Sequence, residues 1–158
     1  MLENVKCLCQ SAIKIECEKI IYFDPIEIKE KISDADIIFV THDHFDHFDV
    51  KSIENIKNDN TKIVIPNSLV GKCIEIFSMD NMLVVEPGKE YEIDNIKFET
   101  VPAYNINKDF HPKSNNWVGY NVTINGKKYY VMGDTDATEE AERLSVITYL
   151  FLLEECIL

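Results

Sequence analysis

Residues 36–40, Asp-Ile-Ile-Phe-Val, form a short apolar run that ends abruptly in Thr41-His42-Asp43-His44-Phe45-Asp46-His47. A continuous apolar run of this length suits a strand covered on both faces, inside a sheet flanked by other layers. The carboxyl ends of such strands are where α/β folds usually hold ligands. Three of the chain's four histidines fall in this one segment. Residues two apart in extended backbone face the same way, so His42 and His44 present their imidazoles together. Asp46 and His47 follow on turning backbone and can aim at a neighbouring point. One loop can thus serve two adjacent metal ions. A mixed imidazole and carboxylate set suits a hydrolytic Zn2+ or Fe centre better than a closed structural site of four cysteines. The competing reading is a solvated loop that happens to be rich in histidine, and the concentration of the residue in one place argues against it.

The flanking pattern places this loop in a layered chain. Ser11 to Ile15 and Lys19 to Phe23 read as strands closed by Asp24-Pro25. After the histidine segment, Val50, Ile53 and Ile56 recur at helical spacing behind Asp49, a suitable N-cap. Lys62 to Ile65 reads as a buried strand stopped by Pro66, Ser68 to Phe77 as a second helix, and Met82 to Val85 as strand again. From Tyr91 onward the pattern is β, with Ile96 to Val101 and Trp117 to Ile124 as strands. Asn125-Gly126 between Tyr120–Ile124 and Lys127–Val131 is a strong hairpin signal. Ala137 to Leu144 looks helical. The order favours an α/β architecture (α+β by some schemes) with sheets inside and helices outside, as a single domain over residues 1–158.

Composition narrows the partners. The formal net charge is −12, from 16 Lys and Arg against 28 Asp and Glu. Such a chain is repelled by phosphate backbones and anionic lipid, so the expectation is a small-molecule substrate, no nucleic acid and no membrane. No stretch approaches the roughly 20 apolar residues that span a bilayer, and the first residues lack the apolar core of a signal peptide. The cysteines Cys7, Cys9, Cys17, Cys73 and Cys156 are odd in number and scattered. They read as reduced thiols of a cytoplasmic protein, packed as small hydrophobes.

His42-x-His44-x-Asp46-His47 after an apolar strand resembles the signature of the metallo-β-lactamase fold superfamily. Tyr22-Phe23-Asp24-Pro25 looks like the early hairpin and turn of its small lactonase-like branch. Val101-Pro-Ala-Tyr-Asn105 and Trp117-Val-Gly-Tyr120 look like its middle strands, and Val131-Met-Gly-Asp-Thr-Asp136 like its Gly-Asp-Thr motif. The resemblance covers roughly residues 8 to 142. It implies an αββα sandwich in which His42 and His44 bind a first metal, Asp46 and His47 a second, and Asp134 bridges them. His111, the one remaining histidine, is the candidate third imidazole on the first metal. The alternatives are a helix N-cap for Asp134 and an exposed loop residue for His111. Tyr104 and Asn105 read either as donors to a substrate oxyanion or as a core Tyr and a turn Asn, and Trp117 as core or pocket wall. Glu139 to Glu142 reads as a solvated helix face.

The resemblance also implies the chemistry. The expected reaction is hydrolysis of an ester, lactone or phosphoester by a metal-bound hydroxide, with Asp46 orienting the water and shuttling its proton. The metal expected is Zn2+, one or two per chain, with Fe or Mn2+ as substitutes. The superfamily continues past the Gly-Asp-Thr helix to a last strand ending in histidine, and residues 143–158 lack that histidine. This atypical tail, with C-terminal strands missing, implies an under-coordinated second metal and an exposed sheet edge suited to a homodimer. It also supports a second reading, a degenerate, non-catalytic metal-binding member. Val146 to Leu153 is expected to form a strand.

Overall fold

Residues 4–144, 147 and 149–151 are described by the computed structural model. The chain parts into two units, residues 1–84 and 85–158.

The first unit holds β1 (Val5–Cys7), β2 (Ile13–Glu16), β3 (Ile20–Phe23), β4 (Ile37–Phe39), β5 (Lys62–Pro66) and β6 (Met82–Val85), adjacent in that order. The last residue of β6 opens the second unit. β1 to β3 pair antiparallel, and β4 lies parallel between β3 and β5. The apolar run is therefore an interior parallel strand, and Ile37, Ile38 and Phe39 are fully buried as its composition requires. Phe39 stacks on its register partner Phe23 with ring centroids 5.0 Å apart. Ile38 joins Tyr22, Ile63 and the helix residues Ile53 and Ile56 in one cluster. That helix, α1 (Val50–Ile56), is capped as expected: the Asp49 carboxylate accepts from the N–H groups of Lys51 and Ser52.

The helix expected over Ser68 to Phe77 shrinks to a 3-10 turn at Asn67–Leu69 and α2 (Val70–Cys73). Gly71 weakens the helix by about 1 kcal/mol relative to Ala, and Ile74 and Ile76 add β-branched crowding. β1 was not legible, because three residues at a sheet edge carry no alternation. Of the cysteines expected to be buried, Cys73 is; Cys7 is exposed, Cys9 and Cys17 are half-buried, and Cys156 lies outside the described residues.

The second unit is a sheet in the order β11-β10-β9-β8-β7, built from β7 (Glu90–Ile93), β8 (Ile96–Pro102), β9 (Val118–Ile124), β10 (Lys127–Val131) and β11 (Tyr149–Phe151). All pairs are antiparallel except β10 with β11. The Asn125-Gly126 turn has φ of 49° and 75°, the left-handed pair a two-residue hairpin demands. Asp94-Asn95, at 49° and 66°, repeats the device between β7 and β8. α3 (Glu139–Glu142) is capped by Thr138, so Asp134 is not its N-cap. β11 occupies part of the strand expected over 146–153; Val146, Leu152 and Leu153 lie outside the described residues. Ala141, Leu144 and Ile147 pack over Val101, Tyr130 and Met132.

Candidate metal centre

In the first unit, β4 ends one residue before Val40, and the chain then turns sharply. His47 and Phe48 both donate their N–H groups to the His44 carbonyl, at 3.0 and 2.9 Å. The turn carries His47 back beside His42, with ring centroids 4.1 Å apart, while His44 stands edge-on to His42 at 4.7 Å. The Ser11 hydroxyl donates to the Asp46 carbonyl and pins the turn to the start of the chain.

Beneath the rings lies Asp24, fully buried and held at φ 42°. Left-handed backbone is tolerated by Asp more readily than by most residues, and such strain gathers at functional sites. The Asp24 carboxylate accepts the Thr41 N–H at 2.7 Å, the Thr41 hydroxyl at 2.7 Å and His47 Nδ1 at 2.8 Å. A hydroxyl has one proton, and Thr41 gives its proton to Asp24. Thr41 Oγ1 therefore accepts from His42 Nδ1, 3.0 Å away. These bonds assign the tautomers: both rings carry their proton on Nδ1 and present the Nε2 lone pair. An imidazole that donates through one nitrogen and ligates through the other is the usual arrangement at metals. Asp24 and Thr41 hold the rings of this cluster, and sequence reasoning missed them. The signal for Asp24 was an acidic residue at a strand end beside a proline, which reads as an ordinary turn.

In the second unit, His111 and Asp134 come together although they lie on separate loops. His111 Nε2 is 3.3 Å from Asp134 Oδ2, with both residues buried. Two donors about 2.0–2.2 Å from one tetrahedral ion stand about 3.3–3.6 Å apart, so this pair already has ligand spacing. His111 is another left-handed residue, at φ 58°, and is not the exposed loop histidine of the alternative reading. Trp117 is buried and packs edge-on against His111 at 5.3 Å. Tyr104 and Asn105 are committed internally. The Tyr104 hydroxyl donates to Glu140 at 3.0 Å, and the Asn105 amide lies 3.3 Å from the Phe110 carbonyl and 3.4 Å from His111 Nδ1. Tyr104 thus spends its phenol on a carboxylate instead of an oxyanion. Glu139 and Glu142 are the solvated face expected, but Glu140 is half-buried.

The donor sets fit a metal by type: two rings with assigned Nε2 lone pairs in one unit, and an imidazole–carboxylate pair at ligand spacing in the other.

The sequence profile of the β-lactamase superfamily domain matches residues 18–152, and the chain belongs to that family. It is 29% identical over 152 residues to the UPF0173 metal-dependent hydrolase of Thermococcus onnurineus, covering 90% of this chain and 66% of that protein. A protein of the same name from Pyrococcus abyssi is 31% identical over 150 residues, with the same coverage. The chain thus spans just under two thirds of the length of these curated relatives. Among solved structures, a candidate metal-dependent hydrolase from Parabacteroides distasonis superposes with a TM-score of 0.79 at 27% identity, covering 94% of this chain and 68% of that one. The α/β fold class expected from the sequence is therefore that of the metallo-β-lactamase superfamily.

Proposed function

We propose that this chain is a metal-dependent hydrolase in which His42, His44 and His111 hold one cation, Asp46 and His47 a second, and Asp134 bridges both. The observation that carries the reading is the Asp24–Thr41 network, which sets the protons of His42 and His47 on Nδ1 and makes Nε2 the lone-pair nitrogen of each ring. Membership of the family and the names of the relatives support it.

A bound cation would supply Lewis acidity, lowering the pKa of a water and polarising a carbonyl or phosphoryl oxygen. The chain's own contributions are positional. Asp24 holds the His47 ring and, through Thr41, the His42 ring, so neither must reorient to ligate. We read the Asp46 carboxylate, half-buried and with an oxygen within 4.8 Å of a His47 ring nitrogen, as the group that accepts a proton from an incoming water and returns it to a leaving group. Zn2+ is the metal we favour, with Fe or Mn2+ as substitutes, since imidazole and carboxylate suit all three. The substrate class is an ester, lactone or phosphoester. The described cysteines are all free, which supports a reducing, cytoplasmic setting. Among the described residues, no helix is long and apolar enough to cross a membrane.

The test is a Zn2+ titration followed by assay on a generic lactone, an aryl ester and an aryl phosphodiester. The wild-type chain should bind Zn2+ and hydrolyse at least one of the three; His42→Ala/His44→Ala should lose the metal and the turnover together. Full metal content in the double variant would overturn the ligand assignment. Tight metal binding without turnover of any substrate would favour the non-catalytic binder instead.

A further inference from the structure

The backbone segments that carry His111 and Asp134 are joined by one side chain. Thr135 Oγ1, next to Asp134, accepts the Tyr104 N–H at 3.0 Å and donates toward the Tyr104 carbonyl at 3.0 Å, with the Asp136 carbonyl also at 3.0 Å. A single threonine hydroxyl thus takes the place of a strand partner for Tyr104, beyond the end of β8 at Pro102 and of β10 at Val131. Asp136 extends the seam: its N–H donates to the Tyr104 carbonyl at 3.1 Å, and its carboxylate accepts the Ile106 N–H at 2.8 Å. On the other side of Tyr104, the Asn105 N–H donates to the His111 carbonyl at 2.9 Å. A closed path therefore runs from Asp134 through Thr135, Tyr104 and Asn105 to His111. The 3.3 Å approach of His111 to Asp134 completes it.

A second clasp lies outside the first. Lys113 Nζ donates to Glu140 at 2.7 Å and stands 4.5 Å over the Tyr104 ring, whose hydroxyl donates to the same carboxylate. Ties that hold the loops before a cation arrives reduce the ordering entropy that would otherwise be subtracted from affinity.

We propose that Thr135 is a positioning residue: its hydroxyl, by clasping the Tyr104 backbone, sets His111 and Asp134 at the spacing of two ligands to one cation. The inference rests on the metal-centre reading for its purpose, but the spacing itself is a property of the metal-free chain. Valine at 135 keeps the branched shape, leaves the Tyr104 N–H without its partner and leaves the Tyr104 carbonyl with the Asp136 N–H alone. Serine restores the hydroxyl without the methyl.

The experiment compares the full chain with Thr135→Val, Thr135→Ala and Thr135→Ser. Zn2+ affinity is measured against a competing chelator, thermal unfolding on metal-free protein, and imidazole NMR on metal-free protein. Thr135→Val should weaken Zn2+ binding about 10–100-fold, the range for lost supporting contacts at metal sites. Thr135→Ala should do the same, and Thr135→Ser should stay within about threefold of wild type. In metal-free Thr135→Val the His111 ring signals should shift or broaden while those of His42 and His47 stay in place. The proposal is overturned if Thr135→Val binds Zn2+ like wild type with an unchanged His111 signal, or if Thr135→Ser loses as much as Thr135→Val. Failure of both Thr135→Val and Thr135→Ala to fold would make Thr135 a stability residue and overturn it equally. A wild-type chain that binds no Zn2+ would instead sink the metal-centre reading, and the metal-free NMR comparison would still decide whether Thr135 sets the His111 geometry.

Discussion

Asp24 concentrates three hydrogen bonds on one fully buried carboxylate, from the Thr41 N–H, the Thr41 hydroxyl and His47 Nδ1. Its isostere Asn tolerates the same left-handed backbone but brings an NH2 group that cannot accept. With the NH2 in the Oδ2 place, the Thr41 hydroxyl and His47 Nδ1 both lose the acceptor that sets their protons. With it in the Oδ1 place, the Thr41 N–H loses its own. Each donor left unpaired costs about 1–3 kcal/mol. Asp24→Asn should therefore lower the melting temperature of the metal-free chain and weaken Zn2+ binding about 10–100-fold, read by calorimetry and chelator competition. A variant that melts lower yet binds Zn2+ unchanged would show that Asp24 supports the fold alone.

At the scale of elements, two glycines make opposite expectations. A Cβ on Gly119 in β9 would stand 2.6 Å from the Met132 carbonyl oxygen and 2.8 Å from that of Val131. Both are backbone atoms, of the last residue of the neighbouring β10 and of the residue just past it, and cannot step aside cheaply. Gly119→Ala should destabilise by about 1–3 kcal/mol, as overpacking does. Gly71 in α2 has open space at the same position, so Gly71→Ala should stabilise by about 0.5–1 kcal/mol through helix propensity. Urea melts of the two variants give the signs directly. The clasp between α3 and the His111 loop has a pH signature of its own. The Lys113 ammonium, donating to the Glu140 carboxylate, holds that acid down at about 2 from its ordinary 4.5. An acid depressed in the folded state adds stability above its unfolded pKa, and that contribution fades as pH falls from 4.5 toward 2. Glu140→Gln should flatten the pH dependence of unfolding in that window and lower stability near pH 7 by the same amount, which solvent screening of this accessible pair keeps small. An unaltered acid limb would show that Lys113 and Glu140 do not pair in solution.

For the molecule as a whole, a metal that binds only the folded chain must stabilise it by mass action. At free Zn2+ one hundredfold above Kd the gain should be about 2.7 kcal/mol, visible as a raised melting temperature that a chelator reverses. His42→Ala/His44→Ala should show no such rise. Among the described residues, β11 lies at one edge of the second sheet, and edges invite pairing with another chain. We propose a homodimer through that edge; sedimentation velocity across a concentration series should show reversible self-association, and a monomer at all concentrations would refute it.

What the amino-acid sequence determined by itself was everything carried by local pattern. The apolar run at 36–40 pointed to an interior strand, because no alternation offers it a wet face and its length is a strand's. Asn125-Gly126 could only be a tight hairpin, because two consecutive left-handed residues are costly for other pairs. Asp49 announced α1 through its position before a helical repeat. The clustering of His42, His44, Asp46 and His47 made a candidate metal loop legible, since neighbours in sequence on a short turn must be neighbours in space. The tertiary structure alone decided the rest. Asp24 and His47 are 23 residues apart, and only the parallel pairing of β3 with β4 lays one strand end beside the other. His111 and Asp134 sit on different loops, and their 3.3 Å approach depends on a side-chain hydroxyl standing in for strand pairing. Tyr104 read either as a donor to substrate or as a core residue, and the fold instead sets Glu140 within reach of its phenol. Propensity and periodicity are local quantities, whereas the partner of a buried polar group is chosen by whichever distant segment the chain topology delivers to it.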